Sequence, residues 1–374
     1  TEGSPLRLIF NFSLPLILGS LLQQTYSLID AAIVGKYLGI NDLAAVGAST
    51  SVVFLIIGFC TGCCCGFGIP VAQAFGARSY SDLRRYVANS LWVSLIISVV
   101  LAVVTSLLCE RILFMMQTPH DILHHAYLYL LVTFIGIPFT FLYNLLSSLI
   151  RALGDSKTPF YFLLMAAILN IVLDLFCILI LHWGVAGAAG ATVTAQLIST
   201  VACFAYAFSK YPDLRLHKED WHITGLDLKR HIVQGVPLGL QFSVLAIGII
   251  VMQSVVVKFD MIDGQMVSHA AQNGFGAANK LNNLIMTPVN GLGAAMTSFT
   301  AQNLGAGYTH RIRKGILQGL VMAAIIGVCS VGLGLLLTID GAYLHIFLSA
   351  DKVTADTIRF GNHFLYVDFS MYLL

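Results

Sequence analysis

Charge is what this sequence has least of. Asp, Glu, Lys and Arg together make up 10% of its 374 residues, where a soluble domain carries about a quarter. So little charge excludes a disordered chain and a nucleic-acid-binding surface, and a net charge of +2 implies no acidic partner. Cysteine is present, but not as a disulfide framework. Cys60, Cys63, Cys64 and Cys65 crowd one apolar run, and Cys109, Cys177, Cys203 and Cys329 lie scattered in others. No His or acidic residue stands beside Cys63–Cys65 to complete a metal site, so these are read as small residues packing between helices. The eleven His form no HExxH or Cys/His ligand pattern, and no Gly-rich stretch carries the Lys-Ser/Thr of a phosphate-binding loop. An ATP-driven pump and an intramembrane metalloenzyme both lose their signature. No cleavable signal peptide is expected, because the first apolar run is too long and has no small-residue cleavage site. Thr1 in first place implies that an initiator Met is absent.

What fills the sequence instead is apolar length: 57% of residues are hydrophobic and the mean hydropathy is +0.84. A membrane-crossing helix needs about 20 mostly apolar residues. Charge-free runs of that length cover 8–29, 43–77, 86–109, 122–150, 175–209, 231–257, 281–310 and 315–339. The run from 175 is too long for one span, and His182-Trp183-Gly184 reads as a turn that splits the region into 159–181 and 185–209. A last span begins near Ala355 and is still apolar at Leu374. Ten spans result, the tenth incomplete.

Lys and Arg orient them. Arg7 and the even-numbered loops hold 14 basic residues, whereas Lys36, Arg111, Lys258 and Lys352 in the odd-numbered loops make 4. The N-terminus and the even loops are expected on the cytoplasmic side of the inner (plasma) membrane. The longest polar segment, 210–230, separates residues 1–209 from 231–374 and reads as a cytoplasmic linker between two lobes.

The chain also repeats itself. Ala72-Gln73-Ala74-Phe75-Gly76-Ala77 returns as Ala301-Gln302-Asn303-Leu304-Gly305-Ala306, 229 positions later, and basic residues follow both. Pro15-Leu-Ile-Leu-Gly19 is echoed by Pro237-Leu-Gly-Leu-Gln241 at an offset of 222, the difference fitting a longer loop around residues 260–265. Six spans per repeat is an even number, so both lobes have the same orientation and are related by an axis along the membrane normal. Residue 374 then corresponds to about residue 145 of the first repeat. The expected fold is therefore an all-α polytopic membrane protein of two pseudo-symmetric six-helix lobes. The second lobe is incomplete, about ten of twelve spans are present, and the whole is roughly 450 residues long by repeat arithmetic.

Ionisable residues inside a span are costly and functional by default. Asp30 lies toward the outer end of span 1, near Gln23, Gln24, Thr25 and Tyr26. Asp174 lies midway along span 5, and Asn170 shares its helix face four residues earlier. Carboxylate and amide oxygens make a hard-oxygen cage for a small cation, or a proton site; Thr192 and Thr194 of span 6 add hydroxyls. The bland alternative has Asp30 snorkelling to the interface and Asp174 making one interhelical hydrogen bond. The Gly184–Thr192 stretch allows close backbone approach. Asp368 is a further acid in the last span. Lys280 sits in a polar helix with Gln272, Asn273, Asn279, Asn282 and Asn283, a pattern for a water-lined wall, where it could repel a cation, bind an anion or pair with a carboxylate. Pro15, Pro70, Pro138, Pro237 and Pro288 permit bends. In Arg151-Ala-Leu-Gly154-Asp155-Ser156-Lys157-Thr158-Pro159, Gly154 suits a helix end, and Asp155 or Ser156 suits the cap of the next.

Taken in order, these residues resemble a family. Pro15…Gln23-Gln24…Asp30-Ala-Ala-Ile-Val-Gly35…Leu43-Ala-Ala-Val-Gly47, Ala72-Gln73-x-x-Gly76-Ala77, Arg151-Ala-Leu-Gly-Asp-Ser-Lys-Thr-Pro159, Asn170-x-x-x-Asp174, Gly187-Ala-Ala-Gly-Ala-Thr192 and Gln302-Asn-Leu-Gly-Ala306 look like the multidrug and toxic compound extrusion (MATE) transporters over essentially the whole chain. The resemblance implies two lobes around a central cavity and a monomer without cofactor, in which amphipathic organic cations leave in exchange for Na⁺ or H⁺. It also implies a cation or proton site at Asp30, Asn170, Asp174 and Thr192, joined by Asn144. Where one branch of the family has an acid on span 7, this chain has Gln241, a departure that favours the N-lobe site. Tyr26, Tyr143, Gln241, Asn273, Lys280, Asn283 and Asp368 are the candidate cavity residues, with Phe54 and Met252 as further aromatic and Met candidates. A flippase for a lipid-linked sugar is the alternative, but it would want several basic residues in its cavity.

Overall fold

Apolar runs of this length leave backbone N–H and C=O groups that lipid cannot satisfy, and a helix satisfies them internally. The computed structural model, which describes residues 3–116, 118–262, 265–266, 268–348 and 353–371, is accordingly helical almost throughout. Its helices are α1 (Pro5–Tyr37), α2 (Ile40–Gly76), α3 (Tyr80–Leu107), α4 (Cys109–Met115), α5 (His120–Ile135), α6 (Ile137–Ala152), α7 (Lys157–Leu175), α8 (Gly184–Lys210), α9 (Gly225–Val257), α10 (Ala270–Gly305), α11 (Thr309–Thr338), α12 (Ala342–Phe347) and α13 (Ala355–Met371). A two-residue antiparallel pair, β1 (Met261–Ile262) and β2 (Gln265–Met266), follows α9. Lys352, Thr1 and the chain end at Leu374, used above for orientation and length, lie outside the described residues.

Among the described residues, seven helical segments are long and apolar enough to cross a membrane, and eight if a bent pair is one span. The pair is α5 and α6, which meet at 47°. The sequence read 122–150 as one span, with Pro138 permitting a bend in it. The break falls at Gly136-Ile137-Pro138, where Pro138 has no N–H to continue the ladder of the preceding helix. The polar α10 and the 17-residue α13 are not among those seven, although both pack within the bundle. Spans 5 and 6 divide where expected: His182 and Gly184 both take positive φ, 54° and 59°. A π-helical turn, Phe176–Ile180, closes α7 directly after Asp174.

Two cores form. The larger packs α2, α3, α5, α6 and α8 around Phe67, Phe134, Phe141 and Leu145; the smaller packs α10, α11, α12 and α13 around Tyr343, Leu344, Leu365 and Phe369. The cysteines do as expected: all eight are free, and six are fully buried between helices. The polar segment 210–230 is not slack. It forms short 3₁₀ turns at Pro212–Leu214 and Lys218–Trp221, and α3 grips it through Arg84 on Asp220 at 3.2 Å and Arg85 on Asp227 at 2.8 Å.

The α6–α7 turn follows its sequence signature closely. Gly154 has φ +92°, and Asp155 Oδ1 accepts from the backbone N–H of Lys157 at 2.9 Å and of Thr158 at 3.0 Å. Asp155 thus caps α7, while Ser156 makes no side-chain cap. Burial pushes the Asp155 carboxyl up, but hydrogen bonds from Thr158, Tyr211 and Lys210 outweigh it and hold the group well below the usual carboxylate range. Because the folded value is depressed, the stabilisation is present at neutral pH and is lost as pH falls through that lowered value. Asp155→Ala should therefore lower the thermal-unfolding midpoint of the detergent-purified protein at pH 7, by the few degrees that a cap worth about 1 kcal/mol represents. The difference should shrink in strong acid.

Candidate functional site

The helices of the two cores meet at one end only, the end that bears Arg78, Arg84, Arg85 and Arg151, called here the basic end. There α2 and α9 cross backbone to backbone. A Cβ at Gly62 would stand 2.5 Å from the Leu238 carbonyl oxygen, and one at Gly66 would stand 2.4 Å from that of Gln234. From the other side, a Cβ at Gly235 would meet the Phe67 ring at 2.1 Å, and one at Gly239 the Cys63 sulfur at 2.6 Å. Small residues let helices approach this closely in lipid. The repeated Ala-Gln-x-x-Gly-Ala motif also meets its own copy. Gly76 faces the Gln302 carbonyl and Gly305 faces the Gln73 carbonyl, each with a hypothetical Cβ 1.9 Å away. Such reciprocity is what a two-fold relation between lobes produces.

Toward the opposite end the same helices diverge. A Cβ at Gly58 of α2 would reach Phe242 at 3.5 Å, and one at Gly47 nothing within 4 Å; Gly248 of α9 and Gly276 of α10 also face open space. The cleft is therefore shut at the basic end and open at the other.

The acidic residues lie in the first lobe, where α1 packs on α7. α1 brings Asp30 and Tyr26 to one face, and α7 brings Asn170 and Asp174 against it. Asp174 is 0% exposed and Asn170 3%. The carboxyl groups of Asp30 and Asp174 are close enough to share a hydrogen bond when one of them holds a proton. Asp30 Oδ1, both oxygens of Asp174 and Asn170 Oδ1 are otherwise buried with no donor among the described residues. An unpaired buried acceptor costs roughly 1–3 kcal/mol, and more when charged. Four together make a donor set that a proton or a small hard cation would satisfy. Asn170 Nδ2 donates to Thr192 Oγ1 at 3.0 Å, which aims the amide oxygen away from α8. Close approach of α7 and α8 rests on Gly187, whose missing Cβ would lie 3.2 Å from that of Cys177.

Other sequence candidates fall into place unevenly. Tyr26 and Tyr143 line a narrow cavity with Asn170 and Thr192. Asn144 donates instead to the Thr140 carbonyl of its own helix at 2.8 Å. On α9, Gln241 is exposed; on α10, Asn273 is half-buried and Lys280 and Asn283 are exposed; Asp368 on α13 is half-buried. Two residues were missed. Tyr129 of α5 stands within electrostatic range of both acids and Tyr26, and nothing in its apolar run marks it. Gln196 lines the same cavity and has a buried, unpartnered Oε1; its position four residues after Thr192 was the available signal.

A polytopic helical protein with two lobes, a cleft closed at one end and orphaned acids in one lobe is built as a carrier rather than as a pore or an enzyme. Comparison with known proteins agrees. The MatE family model matches residues 15–176 and 248–372, and the chain belongs to the MATE family of multidrug efflux transporters, which are secondary transporters and not enzymes. A probable multidrug resistance protein of Bacillus subtilis, YoeA, is 30% identical over 97% of this chain and 77% of its own length. A second, YpnP, is 31% identical over 83% of this chain and 68% of its own length. A solved multidrug resistance MATE family transporter in an outward-facing conformation superposes with TM-score 0.88 at 22% identity, covering 99% of this chain and 80% of that one.

Proposed function

We propose that this chain is an ion-driven antiporter that exports amphipathic organic cations by alternating access, with Na⁺ or H⁺ as the coupling ion. The observation that carries the reading is the Asp30–Asp174 pair, three of whose four carboxyl oxygens are buried with no donor among the described residues, in a bundle whose lobes close on each other at one end. Asp30, Asn170, Asp174 and Thr192 supply the oxygen donors, and Asn144 is placed with them by resemblance alone. The basic end is cytoplasmic by its Lys and Arg, so the structure corresponds to a state open to the outside of the plasma membrane. Residues 1–209 and 231–374 act as the two rocking lobes, 210–230 joins them, and a single chain suffices as the transporting unit.

Transport requires the ion to favour one state over the other by a difference in affinity. An ion or proton arriving from outside would neutralise the pair and relieve the repulsion between its carboxylates. This draws α1 against α7. Because α1 also packs on α10 through Gln24 and Thr287 at 2.7 Å, its movement is felt by the opposite lobe. The cleft then holds a flat cation against aromatic side chains.

The deciding experiment is uptake of a fluorescent cation by proteoliposomes under an imposed Na⁺ or H⁺ gradient, one at a time. One gradient should drive accumulation and the other not, and accumulation under neither sinks the reading. Asn170→Ala should weaken the apparent affinity for the effective ion by about tenfold, the effect of losing a ligand-orienting group, measured as the ion dependence of the same uptake. The flippase reading gains nothing from a wall with one lysine, which cannot balance a pyrophosphate.

A further inference from the structure

Lys280 is unlike any other charge in the bundle. It lies ten residues into α10, about 15 Å from that end and about 37 Å from the basic end at the helical rise. Residues 280, 283, 287 and 291 follow the spacing of one helix face. The inner part of that face is closed on α1: a Cβ at Gly291 would be 2.6 Å from Ile17, and Thr287 accepts a hydrogen bond from Gln24 at 2.7 Å. One turn outward the contact ends, and Asn283 and Lys280 are exposed. The repeat offset of 229 places Gly62 at Gly291, Gly58 at Thr287 and Ser51 at Lys280. On α2 the face through Gly62 and Gly58 closes on α9 in the same way and then opens. Each face closes on a helix of the other lobe in its inner part and opens beyond it, and only the α10 face carries a charge in its open part.

That charge has no counter-ion among the described residues. None of the ion pairs among the described residues includes Lys280. Its assigned neighbour is the Phe347 ring, 6.0 Å from the ammonium. Simple snorkelling to lipid does not describe the position, because α10 is packed by α1, α2, α9, α11 and α13 and Lys280 shares the face that meets α1. A cation held at membrane depth calls for a partner, and no described residue supplies one.

We propose that Lys280 is the anion-binding group of the cleft, recognising a carboxylate or phosphate on an amphipathic compound whose cationic, flat part lies against the aromatic wall. The inference rests on the transporter reading and narrows its substrates to include zwitterions. The anion could also be a lipid headgroup, and the test separates the two.

Rhodamine 110 and its methyl ester, rhodamine 123, share a cationic ring system and differ by one free carboxylate. Their equilibrium binding is measured by fluorescence polarisation to the protein in nanodiscs of phosphatidylcholine, with no ion gradient. Lys280→Met should weaken binding of the free acid by roughly tenfold or more, the worth of a charge-assisted hydrogen bond, and leave the ester within about twofold. Lys280→Arg should restore the acid. Equal loss for both dyes, no loss for either, or failure of the unmodified protein to bind the acid overturns the proposal. Discrimination that vanishes once phosphatidylglycerol is added to the nanodiscs gives Lys280 to the lipid headgroup and likewise overturns it. The antiport reading fails separately, if the ester binds but no ion gradient moves it.

Discussion

Asp174→Asn is expected to uncouple transport. The amide keeps the size of the carboxyl group but can neither bind and release a proton nor supply the second negative charge beside Asp30. With one acid left, the pair no longer distinguishes loaded from empty by charge repulsion. The difference in affinity between the two states, which is the whole of the coupling, is then lost. Coupling free energies of about 1–3 kcal/mol correspond to 5–150-fold, so gradient-driven efflux from proteoliposomes should fall by tenfold or more. Equilibrium binding of the organic cation should change little, because Asp174 is fully buried. Efflux that retains its full ion dependence in this variant would remove the acid pair from the mechanism.

The second large effect is expected at the closed end. Gly66→Leu adds a Cβ where one would lie 2.4 Å from the Gln234 carbonyl oxygen and from the Gly235 Cα. Backbone cannot yield as a side-chain tip does, and overpacking of this kind costs about 1–3 kcal/mol when the surroundings are rigid. Here the surroundings are two lobes, and the strain is relieved by parting α2 from α9. Cys63 reports the event, since it is 0% exposed and its sulfur lies in the seam against Gly239. With the other seven cysteines replaced by Ser, a maleimide should label Cys63 at least tenfold faster in Gly66→Leu than in the parent. Gly47→Leu on the same helix, which has nothing within 4 Å, should leave the labelling rate unchanged. Equal rates in all three proteins would mean that the seam is not where the cleft is shut.

The contrast between these two sites shows how far the sequence could be read. Asp30 and Asp174 were legible individually, because a carboxyl group in a charge-free run violates the solvent preference of lipid and so stands out. Their pairing across 144 positions was reached only through the family resemblance. The Asp155 cap was legible in full, since a cap is a matter of three or four neighbouring residues. The bend at Gly136-Ile137-Pro138 carried its signal too, but the uninterrupted apolar run around it pointed to one span. Asn144, assigned to the ion site by resemblance, instead bonds the turn behind it, as amides in helices often do.

By itself the sequence determined that the chain crosses a membrane as helices, that it does so in two related lobes, and that acids are held where lipid would be. These follow from local rules: an apolar solvent forces each segment to satisfy its own backbone, and a repeat needs no coordinates to be seen. Tertiary structure alone decided which of the described glycines touch another helix, that the two copies of the repeated motif meet each other, that the lobes close on each other at the basic end, and that Lys280 lies on the exposed part of its helix face with no ion pair among the described residues. Those are relations between segments far apart in the chain. Without a hydrophobic force between helices in lipid, they depend on shape and close packing, which residue type and spacing do not encode.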